Sequence, residues 1–188
     1  MLYHASTTPN LSVLEPRVSN HEKPLIYFSQ RRENVLVYLS NAVELHAKRA
    51  GIVCQNPIKK WASYGFTKEG VLQLDEYYPN ATQDTYQGVS GYIYSVERVE
   101  EAMPLPEIPF VFVSKHAVKV TACEAIPDAY EAIVEAAERE QIVLCRYEEN
   151  SRGKLDWIQN AIRREYADAQ EHPEYRAFLK AKFDFLSF

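Results

Sequence analysis

Residues 24–49 read PLIYFSQRRENVLVYLSNAVELHAKR, and this stretch decides the fold. Its first six residues, 24–29, are mainly aliphatic and aromatic, a composition that predicts a buried strand. Ser29 can then serve as a helix N-cap, because its hydroxyl can accept a hydrogen bond from a free backbone N–H. Over 33–49 apolar residues recur at helical spacing, which predicts a helix. We therefore expect a buried strand that leads into an amphipathic helix.

Over the rest of the chain up to residue 120, the sequence pattern predicts mainly β-structure. Segment 91–97 gives the clearest signal, because residues of high β-propensity alternate along it. Segment 103–109 carries three prolines and is expected to be a loop or a sheet edge. Further short strands are predicted at 2–4, 71–74, 110–113 and 117–120, and the last two can instead form one strand that bends at 114–115.

The last third of the chain is mostly helical in its pattern. Helices are predicted over 127–140, 151–170 and 174–182, with one strand at 142–147. Strands and helices do not alternate regularly, which disfavours a doubly wound parallel sheet. We therefore expect the α+β class, with a β-rich core over 1–125. The helical extension over 126–188 should pack on this core to give a single compact unit.

Composition and charge argue against some classes of function. The chain has 188 residues, of which 46% are hydrophobic and 25% charged, as in an ordinary globular domain. Its formal net charge is −5 and no run of basic residues occurs, so extended nucleic-acid binding is not expected. No apolar run approaches the roughly 20 residues that span a bilayer, and no membrane association is expected.

The cysteines and the N-terminus predict a cytoplasmic protein. The three cysteines, Cys54, Cys123 and Cys145, are far apart and lack CxxC spacing, which indicates buried thiols in a reducing compartment. The first ten residues have neither the basic nor the apolar region of a secretory signal.

Several common sites are absent from the sequence. It contains no P-loop, no GxGxxG and no GxSxG. Its five histidines show no metal-ligand spacing, so no metal site is expected.

His4 is the first candidate functional residue. It lies in the first predicted strand, just before a Ser/Thr-rich loop. A neutral imidazole there can form a hydrogen bond with a ligand hydroxyl. The alternative is a histidine on an edge strand that is hydrogen-bonded to the backbone.

Tyr27 is the second candidate, since it stands near the end of the strand that enters the helix. It can offer an aromatic face to a flat, positively charged ring, a contact that contributes about 0.5–2 kcal/mol. The alternative is that Tyr27 packs in the core.

Glu97 is the third candidate, at the end of the clearest strand, and Glu107 follows in the proline-rich loop. A carboxylate at either position can stabilise positive charge that develops on a sugar ring. The alternative is a solvated acidic turn.

These three features, in this order, resemble the ADP-ribosyltransferase superfamily in its His–Tyr–acidic branch. Residues 2–6, LYHAS, resemble the family's opening strand, in which histidine and glycine precede serine or threonine. Residues 25–29, LIYFS, followed by the predicted helix, resemble its second block. Segments 91–97 and 109–120 resemble the later strand pair, most nearly that of the rifampin ADP-ribosyltransferases. The resemblance covers residues 1–120, and Ala5 stands where the family usually has glycine.

The resemblance implies a split β-sheet core that binds NAD in a cleft between two small sheets. His4 would then form a hydrogen bond with a ribose hydroxyl, and Tyr27 would stack on nicotinamide. Glu97 or Glu107 would stabilise the oxocarbenium-like transition state as nicotinamide leaves. The remaining cofactor contacts implied are the backbone at Ala5 and the hydroxyls of Ser6 and Ser29.

The acceptor of the ADP-ribose is not indicated, and three other functions stay open. The same fold can serve as a non-catalytic nucleotide- or protein-binding domain. The chain can instead be an unrelated α+β domain, whose tyrosine-rich segment 64–94 forms a core or an interaction surface. An RNA 2′-phosphotransferase-like activity would need arginines around a phosphate, and only Arg17, Arg31 and Arg32 lie near the key blocks.

Overall fold

The computed structural model describes residues 1–18, 23–54 and 63–186, which contain both helices and strands, as the α+β class requires. These residues belong to two compact units, each described by itself. The first unit comprises 1–39, 64–73 and 87–143, and the second comprises 40–63, 74–86 and 144–188. The helix that follows residue 126 therefore lies in the first unit, together with the β-structure.

The strands are short and most of them precede residue 130. They are β1 (Leu2–Ser6), β2 (Val13–Leu14), β3 (Arg17–Val18), β4 (Pro24–Ser29), β5 (Tyr64–Phe66), β6 (Leu72–Asp75), β7 (Gly91–Val96), β8 (Met103–Pro104), β9 (Val111–Ser114), β10 (Val118–Lys119), β11 (Ala122–Ile126) and β12 (Ile142–Cys145). The α-helices are α1 (Ala42–Arg49), α2 (Ala81–Tyr86), α3 (Ala129–Glu138), α4 (Arg152–Asp168) and α5 (Pro173–Lys182). Short 3₁₀ helices span Glu33–Leu39, Tyr147–Glu149 and Asp184–Leu186. None of the helices in the described ranges is long and apolar enough to cross a membrane.

The first unit is built on an antiparallel sheet of order β11–β7–β1–β4–β9–β8, with β3 beside β4. Strand β7 pairs along its length with both β1 and β11, and β4 pairs with β9 from Ile26 to Ser29. In contrast, β1 and β4 pair only at Tyr3 and Ser29 within the described residues. The sheet therefore consists of two well-paired halves that are joined at one residue pair.

The two faces of this sheet follow from strand alternation. One face, called the His4 face, buries Leu2, Phe28 and Tyr94 against the two-stranded β2–β10 sheet. The opposite face, called the Tyr27 face, carries Tyr27, Ser29 and Ala5.

The prediction of a single helix over 33–49 is wrong. The chain forms a 3₁₀ helix over Glu33–Leu39 and a separate α-helix, α1. A buried contact explains part of this difference. Asn34 is 1% exposed; its Nδ2 donates to the Gly70 carbonyl at 3.1 Å and its Oδ1 accepts from the Leu72 N–H at 3.2 Å. The β-branched Val35 and Val37 also have low helix propensity. Tertiary contacts therefore override the helical pattern here.

Other expected elements are confirmed. Strands β4 and β7 lie where the sequence predicted them, as do α4 and α5, with Ile158 and Ile162 buried on the inner face of α4. The sequence did not predict β11 and α2. Strand β11 has four exposed residues among its five, so it carries no apolar alternation to detect.

The second unit packs α1, α4 and α5 around Val43, Ile162 and Phe178. A buried carboxylate, Glu76, organises one end of it. Its Oε1 accepts from the Thr82 N–H at 3.0 Å and from Arg146 Nη1 at 3.3 Å. Its Oε2 accepts from the Tyr147 N–H at 3.3 Å. These partners satisfy both carboxylate oxygens of a glutamate that is only 1% exposed.

Candidate functional site

His4 lies inside the sheet, because β1 has β7 on one side and β4 on the other. The edge-strand part of the alternative is therefore wrong, but the ring is hydrogen-bonded to the backbone, as that alternative expected. Its Nδ1 lies 2.9 Å from the carbonyl oxygen of Tyr27. A carbonyl can only accept, so Nδ1 carries the hydrogen; in a neutral imidazole, Nε2 would then be the hydrogen-bond acceptor. The half-buried ring also contacts the Phe28 ring, with centroids 6.1 Å apart.

A cleft of about 380 Å³ opens beside His4 on the same face. Its walls include Ser6, Arg17 and the segment 10–15, which contains β2. The Ser6 hydroxyl accepts from the Thr8 N–H at 3.1 Å, which shapes the start of that loop. The cleft thus brings together two predicted site residues, His4 and Ser6.

The side chain of Tyr27 lies on the opposite face of the sheet from that of His4. Tyr27 pairs with Val113, and Ser29 pairs with both Val111 and Tyr3, so alternation places Tyr27, Ser29 and Tyr3 together. The strands bring the backbone of Tyr27 against the His4 ring, but they direct the two side chains apart. A ligand can reach both only in the gap between β1 and β4.

A cluster of tyrosines lies on the Tyr27 face. The pKa of Tyr38 is raised above its usual range, first by burial and then by the charges of Tyr64 and Tyr27 and a hydrogen bond with Tyr64. The rings of Tyr38 and Tyr64 meet edge to face at 6.0 Å. Sequence reasoning gave Tyr38 no site role. The available signal was its place on the apolar face of the predicted amphipathic helix.

Ala5 and Ser29 are buried, with 6% and 2% exposure. The Ser29 hydroxyl accepts from the Arg31 N–H at 3.0 Å and so closes a local turn. It does not cap a helix as expected, because the 3₁₀ helix begins only at Glu33.

The two glutamates singled out by sequence are exposed and lie outside the strands. Glu97 follows the last residue of β7, and Glu107 lies in the loop between β8 and β9. Ala5 pairs with Ile93, and Glu97 is four residues farther on, which is about 13 Å along the strand. Neither Glu97 nor Glu107 lines the cleft beside His4.

A third carboxylate, Glu124, lies in the edge strand β11 and is also exposed. In β11 it pairs with Ile93, which in turn pairs with Ala5, so Glu124 lies level with Ala5 and on the Tyr27 face. Two strand spacings separate β11 from β1, so Glu124 lies about 10 Å across the sheet from Ala5. Sequence reasoning missed Glu124 because the pattern did not predict its strand.

Arg32 forms a bidentate salt bridge with Glu124. The Nε and Nη2 atoms of Arg32 donate to its two oxygens at 2.8 and 2.5 Å. These hydrogen bonds, with the charge of Arg32, lower the pKa of Glu124 although its partial burial opposes the shift. Glu124 therefore presents an oriented, ionised carboxylate on the Tyr27 face.

Comparisons with protein-family models, with curated proteins and with solved structures found no match. Within the described ranges, no group of three or more histidine, cysteine, aspartate or glutamate side chains is arranged to hold a metal ion.

Proposed function

We propose that the first unit is an NAD-binding domain of the ADP-ribosyltransferase type, which transfers ADP-ribose to an acceptor and releases nicotinamide. The observation that carries this proposal is the hydrogen bond between His4 Nδ1 and the Tyr27 carbonyl. It joins the two sequence blocks on which the resemblance depends most. Residues that are 23 positions apart in the chain thus meet on adjacent strands.

The architecture of the sheet supports a split β-sheet core. Beyond the Tyr3–Ser29 pair, β1 and β4 make no further ladder pair among the residues that the structure describes. Two strands that separate in this way leave backbone donors and acceptors facing the gap. A planar carboxamide such as that of nicotinamide can satisfy such groups, and this is how the backbone at Ala5 would contribute.

The side chains around the gap suit the two halves of nicotinamide riboside. On one face, Tyr27 and Tyr38 provide aromatic surroundings for the flat, cationic nicotinamide ring. On the other face, His4 Nε2 can accept a hydrogen bond from a ribose hydroxyl. The hydroxyls of Ser6 and Ser29 are secondary polar contacts.

Glu124 is better placed than Glu97 or Glu107 to act as the acidic residue. In the proposed reaction the glycosidic C–N bond breaks, and its electron pair leaves with the nicotinamide nitrogen. The acceptor then bonds to the anomeric carbon and loses a proton. A fixed carboxylate near that carbon stabilises the positive charge that develops on the ribose. Glu124 has the required charge and a fixed orientation, and it is level with Ala5 but about 10 Å across the sheet from it on the Tyr27 face. This role therefore requires the reacting carbon of the ribose to lie on the Tyr27 face.

The alternative is a non-catalytic nucleotide- or protein-binding domain of the same fold. Two observations favour it. The methyl group of Ala5 stands where glycine would leave more space, and the contact with Arg32 already occupies both oxygens of Glu124. Binding without turnover would then be the outcome.

Release of nicotinamide from NAD, with water as the acceptor, separates these functions. Wild type should release nicotinamide, and Glu124→Gln should lower the rate about 100-fold, because the substitution removes the negative charge proposed to stabilise the ribose cation. Glu97→Gln and Glu107→Gln are matched controls that should react at the wild-type rate. A large loss in either control, with little loss in Glu124→Gln, would contradict the choice of Glu124. Tight NAD binding without any release would favour the non-catalytic alternative.

A further inference from the structure

Phe110 adopts an unusual backbone conformation in the first unit. Its φ angle is +63°, a left-handed value that a bulky side chain rarely takes, and its side chain is 41% exposed. Such strain costs about 1–3 kcal/mol and persists only where the surroundings enforce it. Here the Phe110 carbonyl accepts from the Gln30 N–H at 2.9 Å, which ties the residue to the end of β4.

Gly70 provides the space that Phe110 needs. A Cβ added at Gly70 would lie 2.6 Å from Phe110 Cδ2, which is closer than carbon atoms can approach. Gly70 is itself held by Asn34, whose Nδ2 donates to its carbonyl at 3.1 Å. Three separate chain segments therefore cooperate to present one partly exposed aromatic ring.

Arg31 lies on this ring. Its Cζ is 4.6 Å from the centroid of Phe110, and its Nη2 donates to the Glu69 carbonyl at 3.0 Å. The stack and the hydrogen bond fix the plane of the guanidinium, and the remaining N–H groups are not used by Glu69. An arginine that is positioned in advance loses less side-chain entropy when it binds a bidentate anion.

Arg31 and Arg32 differ in their counter-ions. Arg32 is neutralised by Glu124 and also contacts Glu33 at 3.4 Å. In the part of the chain that the structure describes, no carboxylate lies within ion-pair distance of Arg31. Arg31 thus combines a fixed position with an unmatched charge, immediately after the strand that carries Tyr27 and Ser29.

We propose that Arg31, supported by Phe110 and the Glu69 carbonyl, binds a phosphate group of the nucleotide ligand. This inference rests on the proposed function for the identity of the ligand, but the anion site itself does not depend on the transfer reaction. The guanidinium fork matches the geometry of two phosphate oxygens. The contact places the phosphate just beyond the end of β4, two residues past the Tyr3–Ser29 pair.

Calorimetric titration of the full chain with inorganic pyrophosphate tests the proposal, because this probe contains neither nicotinamide nor ribose. Arg31→Gln should weaken binding about tenfold or more, since it removes the charge that pairs with the anion. The side-chain amide that this substitution introduces can still donate to the Glu69 carbonyl, so the fold should be retained. Arg139→Gln is the matched control, because Arg139 is exposed in the same unit and its ion pair is with Glu135 on its own helix turn.

A second variant covers the case in which Arg31→Gln is unstable. Arg31→Lys keeps the charge but loses the fork, and it should bind pyrophosphate more weakly than wild type and more tightly than Arg31→Gln. Equal binding by wild type and Arg31→Gln would overturn the proposal. So would an equal loss in Arg139→Gln, or no wild-type binding at about 10 mM pyrophosphate, a concentration that would detect even millimolar affinity. His4→Ala should bind pyrophosphate normally, so failure of the NAD reaction can be told from failure of the anion site.

Discussion

Replacement of Asn34 by alanine should destabilise the first unit by about 2–4 kcal/mol, because each buried group left without a partner costs about 1–3 kcal/mol. The substitution removes two hydrogen bonds at once and leaves the Gly70 carbonyl and the Leu72 N–H unsatisfied. Asn34 is 1% exposed, so water cannot replace the lost amide without opening the structure. The same contact fixes the 3₁₀ helix that carries Tyr38.

Urea unfolding measured by circular dichroism checks this value. With a denaturant dependence of about 1–3 kcal/mol per M, the midpoint should fall by about 1 M or more. Gln141→Ala, an exposed amide in the same unit, is the control and should change the free energy of unfolding by less than about 0.5 kcal/mol. A loss below about 0.5 kcal/mol in Asn34→Ala would refute the reasoning that this buried amide anchors the segment.

Three further predictions concern stability. Glu76→Ala should destabilise the second unit by about 3–5 kcal/mol in urea unfolding, because it leaves Arg146 and two backbone N–H groups without their buried acceptor. The folded-state pKa of Glu124 is lowered from 4.5, so its stabilising contribution is present above that value and is lost as pH falls through the folded pKa. Wild type should therefore exceed Glu124→Gln in melting temperature at neutral pH, and the difference should vanish in acid. Gly91→Ala should cost about 1–3 kcal/mol, because the new Cβ would meet Leu39 Cδ2 at 2.5 Å, and a melting temperature equal to that of wild type would contradict this packing.

The sequence predicted those elements whose local pattern and tertiary surroundings agree. Strands β4 and β7 are buried in the middle of the sheet, so their residues carry the composition that such positions require. Helix α4 shows one apolar stripe and a serine N-cap, Ser151, whose hydroxyl accepts from the Lys154 N–H at 3.3 Å.

The sequence failed where distant residues decide the structure. The helical pattern over 33–49 could not show that Asn34 would bond to a segment almost 40 residues away. Strand β11 is exposed along most of its length, and its place in the sheet depends on pairing with β7. Because the pattern hid that strand, it also hid Glu124.

In the candidate site, too, the sequence predicted some features and missed others. His4 and Tyr27 were identified from residue type and order, and the structure places them on adjacent strands. Their relation could not be deduced locally, because it depends on the register at Tyr3 and Ser29. The roles assigned to His4, Tyr27, Glu97 and Glu107 stay predictions until ligand binding is measured.

The central claim is that NAD binds at the junction of β1 and β4. A thermal-shift titration of NAD against wild type and His4→Ala tests it most directly, with His116→Ala, an exposed histidine in the same unit, as the control. NAD at about 100 times its dissociation constant should stabilise wild type and the control by about 2.7 kcal/mol. The stabilisation should be lost, or need far more NAD, in His4→Ala. An unchanged melting temperature of wild type at millimolar NAD, or an equal shift in His4→Ala, would contradict the account.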